Sequence, residues 1–582
     1  MNNANDNQIE NQTDASTPKL LKKPGKKKAS PEVQQRLDNM RRPHKASKVC
    51  SPRAADKKAG EGPAAPKPAQ QPSRKGSPVG KKKESDPPFD MKVQQLLEEG
   101  GFLAQDEASN QTLVVRQPGN PIAKPVDSQD MANQLFVDLT EMGEDVSPEA
   151  IDKALAIIKT KVKHFGKKAR VYCTVGYGEH RLKRVVDLRH EDGALAVLEN
   201  GQVRIAYDGE KSVMLRRPGM AAFPMPANEP DPELDGLNPL VDLINAPEEE
   251  KYLLLAWMAF VLSHPLDPMV SQVFLVLLGG QGSGKSAFCK WVLRKFVDPS
   301  KMSVMALPRN IDDLAVAASY TYMPIIDNVR NLSRAYSDRF CKMSTGGEVL
   351  KRKLYTDGDP HVSTLQTCLV INGIVNPVTE PDLSSRCLFV HLEALDADRR
   401  MSETGMDDYL TEHEGTIFRA LLELAAQALN VVDSVEPQRP LRMLEFSRWL
   451  AACEQVMGLD AGYLEDAYAN NQASAYESSI GEQPLANGLY NFALLYCVDQ
   501  PWVGTCGELL PLLEELVSDR DIRAHFHQWP HNPESLGRRF TQHAASLDAL
   551  GVKLERLPRS RTRQVKISLK DDYPRLAELA QA

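Results

Sequence analysis

Residues 273–293 read VFLVLLGGQGSGKSAFCKWVL. The first six are apolar throughout, which suits a strand buried on both faces. Gly279, Gly280, Gln281, Gly282, Ser283, Gly284, Lys285 and Ser286 then complete a Gly-x-x-x-x-Gly-Lys-Ser pattern, and 287–293 continue as an amphipathic helix. A strand that turns through glycines into a helix aims several backbone N–H groups and the positive end of the helix dipole at one spot. That arrangement suits a triphosphate. Lys285 is placed to reach the β- and γ-phosphates and Ser286 to hold Mg²⁺, so the expected ligand is MgATP. Side chains at 279, 282 and 284 would block the approach of backbone to phosphate.

The rest of the chain gives this strand-loop-helix a large setting. At 582 residues and 42% hydrophobic composition, three or four domains with genuine cores are expected. The first ten residues are polar, unlike a secretory signal. The longest apolar stretch, 252–262, is too short to cross a bilayer, so no membrane association is expected. Nine scattered cysteines without a Cys-x-x-Cys pair point to neither a zinc site nor a disulfide framework, and reduced thiols fit a cytoplasmic protein.

The net charge of -7 hides an asymmetry, because residues 1–90 hold 20 Lys/Arg against 10 Asp/Glu. Lysine runs at 22–23, 26–28 and 81–83 lie among Pro, Ala, Ser and Gly, with almost no aromatics. Such a segment cannot bury enough apolar surface to fold, so 1–90 reads as a disordered basic tail. It is either a solubilising tail or a non-specific DNA tether. Residues 91–127 read as a linker containing one short helix. A small α+β module follows over 128–235, with helices at 128–142 and 148–163 and short β-like runs at 170–175, 184–188, 194–198, 203–207 and 213–217. Glu199-Asn200-Gly201 is a hairpin signal. No acidic cluster of the kind a primase needs is evident there. The nucleotide core is expected over 237–395, and a helical extension with a polar connector over 396–482.

Three further segments of the core carry chemistry. Residues 322–328, YMPIIDN, form an apolar strand ending in Asp327, which beside the loop strand would hold Mg²⁺. Residues 368–373, CLVING, end in Asn372, placed to orient an attacking water. Arg386 emerges just before the apolar run 387–390, where it can be offered to a neighbouring subunit's γ-phosphate; the alternative is an ion pair with Asp382.

The ordered set GGQGSGKS (279–286), IIDN (325–328), TGGEVLKRKLYTDGD (345–359), LVINGI (369–374) and DLSSRCLFVHL (382–392) resembles the superfamily-three helicase ATPase of phage and plasmid primase-helicases. It is similar in particular to phage and mobile-element proteins that couple this core to a C-terminal DNA-binding module. The resemblance covers roughly 237–395, and its specificity lies in the order and spacing of short motifs. It implies an α/β, AAA+-like phosphate-loop core, a hexameric ring, replication proteins as partners, and a basic β-hairpin that grips one DNA strand. Lys351, Arg352, Lys353 and Tyr355 fall at that hairpin, offering phosphate contacts and one stacking ring. The chain departs from many ring ATPases at Asn328, where a water-activating Glu often follows the metal-binding Asp.

Residues 486–572 read independently as a winged helix: helices at 487–498, 505–517 and 533–550, then strands at 552–557 and 563–569. Arg538 and Arg539 fall on the recognition helix, and Arg559, Arg561 and Arg563 crowd the hairpin tip, a DNA-binding set; a protein-interaction domain is the rival. The combined expectation is an ATP-dependent DNA helicase or replication motor of a mobile element. Its rivals are an ATP-binding initiator or switch with slow turnover, and a small-molecule kinase, which the long spacing from loop to Asp327 disfavours.

Overall fold

In the computed structural model the described residues are 87–116, 119–352, 360–396, 400–481, 483–524, 526–527, 529–558 and 563–570. The basic tail expected over 1–90 lies outside them up to residue 86.

Residues 91–127 are not a linker. After the helix Phe89–Glu98 the chain forms β1 (Gly101–Asp106), β2 (Thr112–Arg116) and β3 (Ile122–Pro125), with Leu103, Ala104, Leu113 and Val115 buried. The Pro/Gly signal that suggested a connector belongs to the turn between β2 and β3, where Gly119 has φ +100°. Helices Gln129–Glu141 and Pro148–Phe165 follow, each begun by a serine, Ser128 or Ser147, whose side chain accepts a backbone N–H of the first turn. The chain continues through β4 (Lys167–Ala169), β5 (Val171–Tyr172), β6 (Val175–Tyr177), β7 (Arg184–Asp187), β8 (Leu195–Glu199), β9 (Gln202–Ala206) and β10 (Val213–Leu215). One sheet has the order β4-β1-β2-β3-β10-β5. Its two outer strands are separated in the chain by Arg170 alone, so the sheet closes into a small barrel around Ala104, Leu113, Val115 and Ala123. The antiparallel meander β6-β7-β8-β9 joins the main core instead. Its β8–β9 turn uses Asn200 (φ 54°) and Gly201 (φ 74°), both left-handed, as a two-residue hairpin requires.

The central sheet contains β11 (Phe274–Leu278), β12 (Ile325–Ile326), β15 (Val370–Gly373) and β16 (Cys387–His391), all parallel, in the order β12-β15-β11-β16. A separate antiparallel hairpin pairs β13 (Gly347–Arg352) with β14 (Pro360–Leu365). The strand ending at Asp327 is therefore not beside the loop strand: β15 lies between them and carries Asn372 to the middle of the sheet edge. Helix Glu248–Ser263, buried from Leu253 to Ser263, packs against Glu403–Val431 and Leu444–Val456. Trp257 and Trp449 donate their indole N–H groups to Val273 O and Ala256 O, each at 2.8 Å.

Residues 461–482, expected as a polar connector, form the helix Tyr463–Gly481. Its polar residues cover the open edge of β16: Asn471 Oδ1 accepts from Phe389 N at 2.9 Å while Nδ2 donates to Phe389 O, and Gln472 Nε2 donates to the carbonyls of Ser385 and Cys387. Beyond it come helices Pro484–Tyr496, Cys506–Leu516, Asp519–Ala524, Pro533–Arg539 and Ala544–Ala549, with β17 (Trp502–Thr505), β18 (Val552–Arg556) and β19 (Gln564–Leu569) in an antiparallel sheet of order β17-β19-β18. The single helix expected over 533–550 is two, because the chain turns after Phe540 so that Leu536, Phe540, Leu547 and Leu550 all face one core. No described helix is long and apolar enough to cross a membrane.

Candidate functional site

The loop after β11 is built on glycine conformations. Gly279, Gly282 and Gly284 have φ of +152°, +84° and +83°. A Cβ on Gly279 would stand 2.3 Å from Leu392 O, so that position admits nothing larger. Ser283 is buried and donates to Gly280 O at 3.0 Å, which closes the loop. Lys285 opens the following helix, and its ammonium turns back to donate to Gly279 O (2.7 Å), Gly280 O (2.8 Å) and Ser283 Oγ (3.1 Å). Desolvation of that ammonium lowers its pKa, against the opposing charge of Asp327. The helix runs as Lys285–Ala287, a wide i→i+5 turn over Phe288–Leu293, and Arg294–Phe296. Lys290 and Lys295 tie it to Glu403 (2.8 Å) and Glu414 (2.6 Å) of the long helix.

Asp327, at the end of β12, accepts from Ser286 Oγ at 3.1 Å. These two oxygens, one anionic, meet beside the lysine and fit a hard cation such as Mg²⁺. Asn372 is buried, and both ends of its amide are engaged: Oδ1 accepts from Asn328 N at 2.7 Å, and Nδ2 donates to Cys289 Sγ at 3.7 Å. Burial pushes the Cys289 thiol up to about 12, so it stays protonated. Asn328 has φ 55°, an αL conformation that Asn tolerates, and its side chain is exposed. Val329 N donates to Asn372 O at 2.9 Å, and a Cβ on Gly373 would lie 2.6 Å from Val329 O. The end of β15 thus clamps the turn that carries Asp327.

Arg386 is held within its own chain. It pairs with Asp382 at 2.8 Å, and Arg442 reaches the same carboxyl oxygen at 2.7 Å. Burial alone would raise the Asp382 carboxyl, but hydrogen bonds from Arg386 and Cys341 and the charges of Arg386 and Arg442 bring it down to about 2. Sequence reasoning missed a different arginine. The strand end and segment after β16 wrap the glycine loop: Leu395 Cδ1 comes within 3.3 Å of where a Cβ on Gly284 would stand, and Arg400 Nη2 within 4.0 Å of one on Gly282. Among the described residues Arg400 has no carboxylate partner, and its Nε donates to Leu395 O at 3.3 Å. No local motif marks it, because it reaches the loop only through the fold.

The expected DNA contacts fall in two places. Lys351 and Arg352 end β13, paired in register with His361 and Pro360, whereas Lys353 and Tyr355 lie outside the described residues. In the C-terminal domain Arg538 and Arg563 are exposed, Arg539 donates to His527 O at 3.0 Å, and Arg559 and Arg561 lie outside the described residues. A cleft of about 890 Å³ between Pro533–Arg539 and the β18–β19 hairpin is lined by Arg538, Arg563 and Arg556, the last absent from the sequence reading.

Comparison with known proteins adds identity to this geometry. No individually curated protein matches the chain. Similar solved structures include SCCmec type IV Cch, titled an active helicase, at 10% identity over 81% of this chain and 92% of that one (TM-score 0.39). The NrS-1 C-terminal region is 13% identical over 83% of this chain and 100% of that one (TM-score 0.38), and a JCV helicase 12% identical over 42% and 65% (TM-score 0.23). Two family models match in sequence order: the actinomycete integrative conjugative element replication protein over 234–472, and the C-terminal domain of the same RepA proteins over 489–578. Together they span more than half of the chain, which therefore belongs to this family of mobile-element replication proteins.

Proposed function

We propose that this replication protein is a DNA-dependent ATPase acting as a helicase, which hydrolyses ATP with Mg²⁺ at the 279–286 loop and engages DNA through its C-terminal domain, a winged helix. The observation that carries the reading is the meeting of Lys285, Ser286 and Asp327 at the ends of β11 and β12, with Ser286 Oγ 3.1 Å from Asp327 Oδ1. Lys285 now caps the carbonyls of its own loop, so an incoming phosphate takes over a cation already in place. Ser286 and Asp327 would hold Mg²⁺, which when bound neutralises charge on the β- and γ-phosphates. Water attacks the γ-phosphorus as the bond to the β–γ bridging oxygen breaks. Asn372 keeps one Nδ2 hydrogen for that water while its other contacts fix the Asp327–Asn328 turn. Arg400, over the loop in its own chain, and Arg386, offered across a subunit boundary of a ring, are the candidates to neutralise the γ-phosphoryl oxygens.

A second reading, an ATP-bound initiator or switch with slow turnover, is favoured by one observation: Asn328 stands where a carboxylate base is expected, and its backbone N–H is committed to Asn372. Turnover with and without single-stranded DNA separates the two. Stimulation of roughly tenfold or more, abolished in Lys285→Ala together with ATP binding by calorimetry, supports the motor. Tight ATP binding with no DNA-stimulated turnover supports the switch, and unchanged affinity in Lys285→Ala sinks both.

A further inference from the structure

The barrel module has no part in the nucleotide site, yet one of its faces is chemically unfinished. Lysines 159, 161, 163, 167 and 168, with His164 between them, lead along the end of the helix Pro148–Phe165 into β4. Lys159 and Lys161 pair with Asp127 (3.7 Å) and Asp90 (2.8 Å). Lys163, Lys167 and Lys168 are exposed and have no carboxylate partner among the described residues. Phe165 stands in their midst with 90% of its surface exposed, the largest fraction of any large apolar side chain described. Seven residues further along, a cleft of about 440 Å³ opens beside Arg170, Tyr172, Tyr177 and Lys211. The Arg170 guanidinium lies 5.6 and 5.9 Å from the two tyrosine rings and pairs with Asp267; the acids of the cleft are themselves neutralised, Glu179 by Lys211 and Glu210 by Lys183 and Arg204. Of the acids beside Ala169, Asp106 accepts from the backbone and hydroxyl of Ser109, and Glu107 donates its backbone N–H to Ala169 O.

Three ammonium groups without a carboxylate partner, one of them Lys167 lying 5.0 Å over the Phe102 ring, make a cationic face beside a bare aromatic ring that exposes apolar surface to water, and one class of ligand answers both. Lysines that neutralise phosphates release the counterions condensed on the strand, and an unpaired base stacks on the ring. A duplex keeps its base faces covered. A membrane would want more than one flush apolar side chain. From Phe165 to Tyr172 an extended chain covers roughly 20 Å, room for several nucleotides. We propose that this face binds single-stranded DNA, with Phe165 as the stacking platform and Lys163, Lys167 and Lys168 as phosphate contacts, on a track leading to the tyrosine cleft. The site stands apart from the reading of the nucleotide loop.

The test uses the full chain carrying Arg538→Ala and Arg563→Ala, so that the C-terminal cleft contributes little, with a labelled oligo-dT followed by anisotropy. Phe165→Leu keeps the apolar bulk and loses stacking, and should weaken binding by a factor of roughly 5 to 100. Replacing Lys163, Lys167 and Lys168 with Gln should lower the slope of log affinity against log salt by about 2. Phe165→Trp should retain affinity and report binding by quenching of its added emission. Thermal melting and DNA-free ATP turnover should be unchanged in all three. The proposal is overturned if Phe165→Leu binds oligo-dT like its parent, if duplex of equal length loses as much, or if oligo-U or anionic vesicles are preferred to oligo-dT.

Discussion

Arg386 and Arg400 place the same chemical group under opposite constraints, and the difference can be measured. Arg386 must leave Asp382 before it can serve a neighbour, whereas Arg400 already overlooks its own loop. A cation that meets the γ-phosphoryl oxygens is worth roughly 10³ to 10⁵ in rate where it has been measured. Either Arg386→Ala or Arg400→Ala alone should therefore be nearly inactive. Mixing distinguishes them. Lys285→Ala subunits, which retain both arginines, should restore some turnover to Arg386→Ala subunits, since a mixed interface joins an intact loop to an intact arginine. They should restore none to Arg400→Ala, because no subunit then holds both loop and Arg400. Equal rescue of the two variants would overturn the assignment in cis, and no rescue of Arg386→Ala in an assembled sample would leave that residue a structural partner of Asp382. The glycines, Lys285, Ser286, Asp327 and Asn372 could be picked out in the sequence because each follows an apolar run, and Arg386 because it directly precedes one. Arg400 could not, since nothing around it is periodic and its partner lies over a hundred residues earlier.

Elements were legible where apolar periodicity dictated them and missed where polar groups did the packing. Helix Tyr463–Gly481 looked like a connector because the side chains that dock it on β16 are amides answering backbone groups, and burial by hydrogen bonding leaves no apolar stripe. The strands β1 to β3 were hidden by turn residues denser than the strands themselves. The same edge of β16 supplies a pH-dependent term. His391 Nδ1 lies 3.0 Å from Glu250 in the first turn of the buried helix, and this hydrogen bond raises the imidazole pKa above its ordinary 6.5 despite partial burial. A raised folded pKa stabilises below the unfolded value, and the benefit is lost as pH rises through the folded one. The melting temperature should thus fall as pH rises above the ordinary imidazole pKa of 6.5, and His391→Gln should flatten that component. An identical pH profile in the variant would show that Glu250 contributes nothing through His391.

At the scale of the molecule, the β6–β9 meander and the nucleotide core meet at one fully buried carboxylate. Asp298 accepts from Arg189 Nη2 between β7 and β8 (3.0 Å), from Arg294 Nη1 at the end of the loop helix (3.0 Å), and from Thr321 and the backbone of Met323 on the approach to β12. Removing one member of such a set leaves uncompensated charge in a dry interior, a loss of about 3–5 kcal/mol. Asp298→Ala should lower the denaturation midpoint of the whole chain in a single transition, with Asp298→Asn intermediate. A separate early transition confined to the meander would show that it and the core do not melt together. The matched family region begins at 234, well after Arg189. A fragment cut there would take Arg189 from Asp298, leaving Arg294 as its one guanidinium partner, and strip the β6–β9 meander from the core, so it should precipitate where the fragment from 87 stays in solution. For anyone exchanging parts between such proteins, the transferable cassette is then not the nucleotide core but the core together with its β6–β9 meander.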